Sequence, residues 1–347
     1  MTIDEFIAEQ PEVLETVLAE VPGQLAALGP IHAARPIYLV GSGTSRNALA
    51  AVEPLLGRLV PAGVRVRGPL AFLAETAGAR KGKGIAVFLS QTGTTSTTVQ
   101  AVSHAASLGW RTLTFTADRR SPIGRVSGEI VVMPVGREPV GPKTKGYTAS
   151  VLTLILLARA IAGQDLHLGA FTGELSRLIA YARGVVAELA EMREGCDFFM
   201  ILGQERHYAT ALEGSLKISE MSGVAAAAFD TEEAFHGRFH GLSSFSAALF
   251  VAGTPAQYDM AAEGAAVLSD LGIATRVLNL TASLPGPHDL PLPWPATDTC
   301  DELDLISAIV PFQLLACDLA RRRGLSPERM RYPDLAQRLR ITTGRTN

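Results

Sequence analysis

Two short turns carry side chains suited to holding a small anion. Gly41-Ser42-Gly43-Thr44-Ser45 follows the apolar run Ile37–Val40, and Ser90-Gln91-Thr92-Gly93-Thr94-Thr95 follows Ile85–Leu89. Each is expected to leave a strand and open a helix. Backbone N–H groups, hydroxyls and the positive end of a helix dipole would then converge on one anion of phosphate size. The first turn alone also suits a dinucleotide or a plain tight turn. Arg46, the missing third glycine and the lack of an acid at the end of the next strand argue against the dinucleotide. The second turn is more specific, because a Ser/Thr-capped helix start would need only one of its four hydroxyls.

Proton chemistry has a separate set of candidates. In the segment His207–Glu220, Glu213, Lys217 and Glu220 are spaced by four and three residues and share one helical stripe. Such a stripe can be a solvated ion-pair face, but Leu212, Leu216 and the run Ala225–Phe229 argue for an interior setting, where unpaired charge is costly. A partly buried carboxylate beside an ammonium can be tuned to move protons near neutral pH. Further on, Glu232-Glu233-Ala234-Phe235-His236-Gly237 offers an imidazole that is either structural or reactive, with glycine allowing close approach. His240 could pair with His236 on a metal. However, Gly237 and Gly241 weaken a helix there and no third ligand is evident, so no metal is expected.

These residues need a scaffold, and the hydrophobic pattern supplies one. Strands are predicted over 37–40, 64–67, 85–89, 112–116, 130–133, 198–202, 224–229, 247–252 and 274–280. Helices are predicted over 44–58, 95–108, 147–162, 207–221 and 257–271. The alternation implies an α/β fold with parallel sheets covered on both faces. Val40 and Leu89, the ends of the two turn-bearing strands, are spaced almost as Leu202 and Ala252 are, which suggests a duplicated doubly wound domain. The copies differ chemically: Gly203-Gln204-Glu205-Arg206 and Gly253-Thr254-Pro255 stand at the matching places of the second half, so a phosphate belongs to the first half. A helical arm over 1–34, a first domain over 35–168, a second over 169–325 with a linking helix, and a tail over 326–347 complete the division. The Pro- and Gly-rich stretch from Thr281 to Pro295 reads as an ordered surface loop.

Composition narrows the function classes. The chain has 347 residues and a net charge of −3, with no basic footprint for nucleic acid. Cys196, Cys300 and Cys317 lack metal-ligand spacing and are expected to be reduced and buried. The longest apolar stretch, Ala149 to Gly163, is short for a membrane span and contains Arg159, so it reads as a buried helix. Met1 to Gln10 shows no secretory pattern, and the cytoplasm is the expected compartment.

Taken together, these motifs resemble the tandem sugar isomerase (SIS) domain proteins, most closely the isomerase half of glucosamine-6-phosphate synthase and free-standing phosphosugar isomerases and deaminases. The resemblance runs through Glu9-Gln10-Pro11, both hydroxyl-rich turns, Ser121-Pro122, Glu138 to Lys145, Ala211 to Lys217, Glu220, Glu233 and His236-Gly237. It implies two tandem domains, each a doubly wound, mainly parallel flavodoxin-like sheet. It also implies a homodimer that needs no cofactor. No glutaminase activity is expected, since Thr2 stands where that domain's cysteine would be.

Residue by residue, the resemblance implies a hexose 6-phosphate or amino-sugar phosphate site. Ser90, Thr92 and Thr95 would hold the phosphate. Ser45, Gln91 and Lys143 would contact the sugar, and Gly43, Thr44 and Gln337 would complete the substrate-binding set. Glu220 would carry a proton between C1 and C2, with Lys217 and Glu213 in support, and His236 would reach across from the neighbouring subunit to assist ring opening. Two departures stand out: the tail has Gln337 or Arg338 where synthases carry an imine-forming lysine, and Lys143 replaces a small hydroxyl residue. The sequence therefore implies an aldose–ketose isomerase or amino-sugar-phosphate deaminase. A fructosamine-6-phosphate deglycase and a non-catalytic sugar-phosphate sensor are the alternatives.

Overall fold

The computed structural model describes residues 2–31, 35–193, 195–281, 284–297 and 300–342. The chain divides into two compact units. One contains residues 12–138, 145–167 and 332–347; the other contains 1–11, 139–144 and 168–331.

The first unit is built on strands β1 (Ile37–Val40), β2 (Val64–Arg67), β3 (Ile85–Leu89), β4 (Arg111–Thr116) and β5 (Glu129–Val132), paired in the order β2-β1-β3-β4-β5. Every pairing is parallel. The central strands β3 and β4 are buried along all but their first residue because helices cover both faces, which leaves no solvent side. Phe72, Phe88, Val102 and Ile123 pack one face, and Tyr38 and Trp110 close its edge with stacked rings 5.6 Å apart. The order reverses between β1 and β3, so the turns leaving these two strands flank a crevice at the carboxyl edge of the sheet. Their register sets Val40 opposite Phe88, and both hydroxyl-rich turns therefore leave at the same level.

The second unit repeats the plan with β6 (Phe198–Gly203), β7 (Ala225–Asp230), β8 (Ser246–Ala252) and β9 (Ala274–Asn279) in the order β7-β6-β8-β9, again all parallel. The two units share a backbone detail. Gly43, before the helix that follows β1, has φ 54° and ψ −132°; Glu205, before the helix that follows β6, has φ 49° and ψ −123°. In place of a fifth strand, the loop residues His288 and Leu290 hydrogen-bond Val277 of β9. Asp289 pins this loop by accepting from Tyr258, Asn279 and Gly286. The predicted surface loop is thus ordered within its described residues.

All nine predicted strands are present, with no end shifted by more than one residue. Helices Pro69–Thr76 and Pro122–Val126 were not anticipated, because a proline at the first helical position reads locally as a breaker although it fits a helix start. Helix Val310–Arg322 was also missed. The helix Lys145–Ala162 and the helical run Asp301–Arg322 are apolar enough to cross a membrane by composition, yet 78% and 94% of their apolar windows are buried inside the fold. All three cysteines are buried and free of disulfides.

Candidate active site

The second turn is shaped by what its glycine allows. Gly93 has φ 65°, and a Cβ there would stand 2.1 Å from Ser121 Oγ, so only glycine lets the turn lie against the start of helix Pro122–Val126. Ser90 is buried. Thr92 and Thr94 share a hydroxyl hydrogen bond of 2.9 Å. Thr95 is the N-cap of helix Ser96–Ser107 but makes no side-chain capping bond. The simpler explanation of these hydroxyls, helix capping, is therefore not what Thr95 does here. In the first turn, Gly43 takes the left-handed backbone and Thr44 and Ser45 open helix Thr44–Leu59, again with no side-chain cap.

Gln91 is held in place by a residue the sequence reading did not assign to the site. Its Nε2 donates to Glu138 Oε2 at 3.2 Å, and the same oxygen accepts from Gly146 N at 3.2 Å. Glu138 is buried, so its carboxylate both serves the first turn of helix Lys145–Ala162 and orients the Gln91 amide. The signal for it lay in the stretch Glu138 to Lys145, where an acid precedes a helix start. Gly146 is packed so closely on Gln91 that a Cβ would stand 2.1 Å from its Oε1.

The tail also belongs to this unit. A short helix Leu335–Arg338 exposes Gln337, and beyond it Thr342 bridges Thr95 in antiparallel fashion while Ser96 N donates to Ile341 O at 2.9 Å. Residues 343–347 of the predicted tail lie outside the described residues.

In the second unit, the helix Arg206–Ser222 leaves β6 and carries the proposed proton machinery. Glu213 and Lys217 are fully buried. Lys217 Nζ lies 3.2 Å from Glu213 Oε1 and donates to Glu220 Oε2 at 2.5 Å, while the Glu220 side chain stays partly exposed. Desolvation pulls the Lys217 ammonium toward deprotonation, but attraction to Glu213 and Glu220 outweighs it and leaves its pKa above the ordinary lysine value. The interior reading of this stripe is correct, and the result is a charged lysine bridging two carboxylates. His236 is exposed at the C-cap of helix Thr231–Phe235, beside Gly237 with φ 118°. Lys143 donates to the Val140 carbonyl at 2.6 Å, within its own loop.

The carboxyl edge of the second sheet differs from that of the first. Asp304 accepts from Arg206 at 2.7 Å and lies 3.1 Å from His207 Nε2, and a cavity of about 240 Å³ opens beside Arg206, Thr254, Trp294 and Asp301. Burial raises the Asp304 pKa, but His207 and Arg206 more than reverse this and hold it below the usual carboxylate range. Gly253 packs on the His207 ring, where a Cβ would stand 2.3 Å from Nε2. Hydroxyl-rich turns are absent after β6 and β8 among the described residues, as the sequence indicated.

Parallel sheets of this order, flanked by helices, match the sugar isomerase (SIS) fold of solved phosphosugar isomerase structures. Curated relatives of the chain include glutamine–fructose-6-phosphate aminotransferases. The enzyme of this name from Gloeobacter violaceus is 29% identical over 355 residues, covering 94% of this chain and 56% of the relative. The chain thus spans about half the length of the curated relatives it matches. Among solved structures, the tagatose-6-phosphate ketose/aldose isomerase of Escherichia coli has a TM-score of 0.79 at 17% identity, covering 94% of this chain and 95% of that one. The glucosamine-6-phosphate deaminase of Thermotoga maritima has a TM-score of 0.72 at 21% identity, with 93% and 98% covered. No family model matches the chain.

Proposed function

We propose that the protein is a phosphosugar aldose–ketose isomerase or amino-sugar-phosphate deaminase acting on a hexose 6-phosphate. The observation that carries the chemistry is the contact between buried Lys217 and part-exposed Glu220. A carboxylate held against a fixed ammonium is oriented, as a base must be before it accepts a proton. Glu220 takes the proton from one carbon of the C1–C2 pair and returns it to the other through a cis-enediol or enolamine. Lys217 orients Glu220, and Glu213 supplies the second counter-charge that keeps Lys217 protonated.

The phosphate is assigned to Ser90, Thr92 and Thr95. The sugar hydroxyls are assigned to Gly43, Thr44, Ser45, Gln91, Lys143 and Gln337. The absence of a capping bond from Thr95 at the helix start supports the phosphate assignment. His236 is assigned to ring opening, contributed by a second copy in a homodimer, and its exposure is in keeping with that role. The cytoplasm is the proposed compartment.

Incubation with fructose 6-phosphate, glucosamine 6-phosphate and related hexose phosphates, following ketose and ammonia, tests this reading. Turnover by the wild type and its loss in Glu220→Gln is the expected result. Absence of turnover on every hexose phosphate, or full turnover by E220Q, overturns it. Gln337 or Arg338 at the place of the synthase lysine favours a second reading, a deglycase whose fructosamine 6-phosphate substrate already carries its amine. Release of a free amino acid from such a substrate distinguishes the two.

A further inference from the structure

The tail holds an arginine where its own backbone favours glycine. Arg340 N donates to Gln337 O at 3.0 Å and Ile341 N donates to Ala336 O at 2.9 Å. These two bonds form a Schellman motif that ends the short helix Leu335–Arg338 and put Arg340 at the position past the C-cap. Arg340 accordingly has φ 54°, one of two non-glycine residues with positive φ among the described residues. A side chain kept in a left-handed position against local preference points to a use for that side chain.

The second observation is where this strained residue is fastened. Ser96 Oγ donates to the carbonyls of both Arg340 and Ile341 at 3.0 Å, Ser96 N donates to Ile341 O, and Thr342 bridges Thr95. Four polar contacts therefore clip the tail to the first residues of the helix that the Ser90–Thr95 turn opens. The Arg340 side chain is exposed there, whereas Arg338 faces Asp334 at 4.0 Å.

The turn itself contains no lysine or arginine, and neither does the first turn of the helix it opens. A phosphate monoester carries a charge near −2 at neutral pH, and hydrogen bonds from a cation are roughly twice as strong as those from neutral donors. A guanidinium also matches the phosphate oxygens in shape. We propose that Arg340 is a phosphate-binding residue delivered by the tail to the Ser90–Thr95 turn, which selects phosphorylated over neutral sugars. This rests on the reading that the Ser90–Thr95 turn holds the substrate phosphate.

The test is calorimetric binding of fructose 6-phosphate and glucosamine 6-phosphate to wild type, R340G, R340Q and R340K, with hydrogen exchange at the Ile341 amide. Arg340→Gly removes the cation while relieving the backbone, so Ile341 protection is expected to persist while affinity falls about tenfold. R340Q is expected to fall likewise, and R340K to recover most of the loss. Wild-type affinity in R340G, or R340K as weak as R340G, overturns the proposal. Failure of the wild type to bind either sugar phosphate removes the reading of the turn and this proposal with it, an outcome visible before any variant is made.

Discussion

Lys217 and Glu213 lie one helical turn apart, both fully buried, with Nζ 3.2 Å from Oε1. Two charges shut away from water are tolerated only together, because each supplies what the other lost on leaving solvent. Replacing Lys217 with Met leaves the Glu213 carboxylate in the interior without its ammonium, and stability is expected to fall by about 3–5 kcal/mol. The double substitution K217M/E213L is expected to recover much of that loss. Urea denaturation of the three proteins checks this, and equal stability of K217M and wild type counts against the pairing.

The same lysine sets an alkaline limit. Its folded-state pKa is raised, so its contribution to stability is fully present below the unfolded value of about 10.4 and is lost as pH rises through the folded value. Thermal melts above pH 10 are expected to show a decline that K217M lacks.

Asp304 works in the opposite direction. Its folded pKa is depressed by His207 and Arg206 against the pull of burial, so its contribution is present above about pH 3.9 and is lost as pH falls through the lower folded value. Asp304→Asn is expected to be less stable than wild type at neutral pH and to show a shallower loss of stability below pH 4. Denaturation midpoints across that range measure both effects.

Glu205 has a backbone that glycine adopts without strain, as Gly43 does at the matching place. Glu205→Gly is expected to stabilise the second unit by about 0.5–1 kcal/mol, the relief of strain outweighing the added chain entropy. Gly43→Ala is expected to destabilise by a similar amount or more. Paired thermal melts decide it, and destabilisation by E205G would falsify the correspondence as an energetic one.

Gly146 gives access to Gln91. A methyl group there collides with the Gln91 amide, and Gly146→Ala is expected to turn that amide away from Glu138. Affinity for fructose 6-phosphate is expected to drop several-fold with only a modest change in melting temperature, measured by calorimetry and thermal melts of the same sample.

Much of the candidate site was legible because its signals are local. A strand followed by four hydroxyls declares itself in six residues, and the four-and-three spacing of Glu213, Lys217 and Glu220 fixes a shared helical face whatever surrounds it. Glu138 was not legible as a site residue, since its partners Gln91 and Gly146 lie in separate segments that only folding brings together. The fastening of Arg340 to Ser96 spans 244 residues and has no local signature at all.

The sequence by itself determined the α/β class, the nine strands and the inequality of the two halves, because hydrophobic period and turn composition act over a few residues. Tertiary structure alone decided that the Lys217 ammonium is buried between two carboxylates. It also decided that Glu205 bears a glycine-like backbone, that Thr95 makes no capping bond, and that an arginine stands past the end of the tail helix with its carbonyl bound by Ser96. Burial, backbone dihedral angles and long-range hydrogen bonds depend on what distant segments bring to a residue, and the identity of that residue does not contain them.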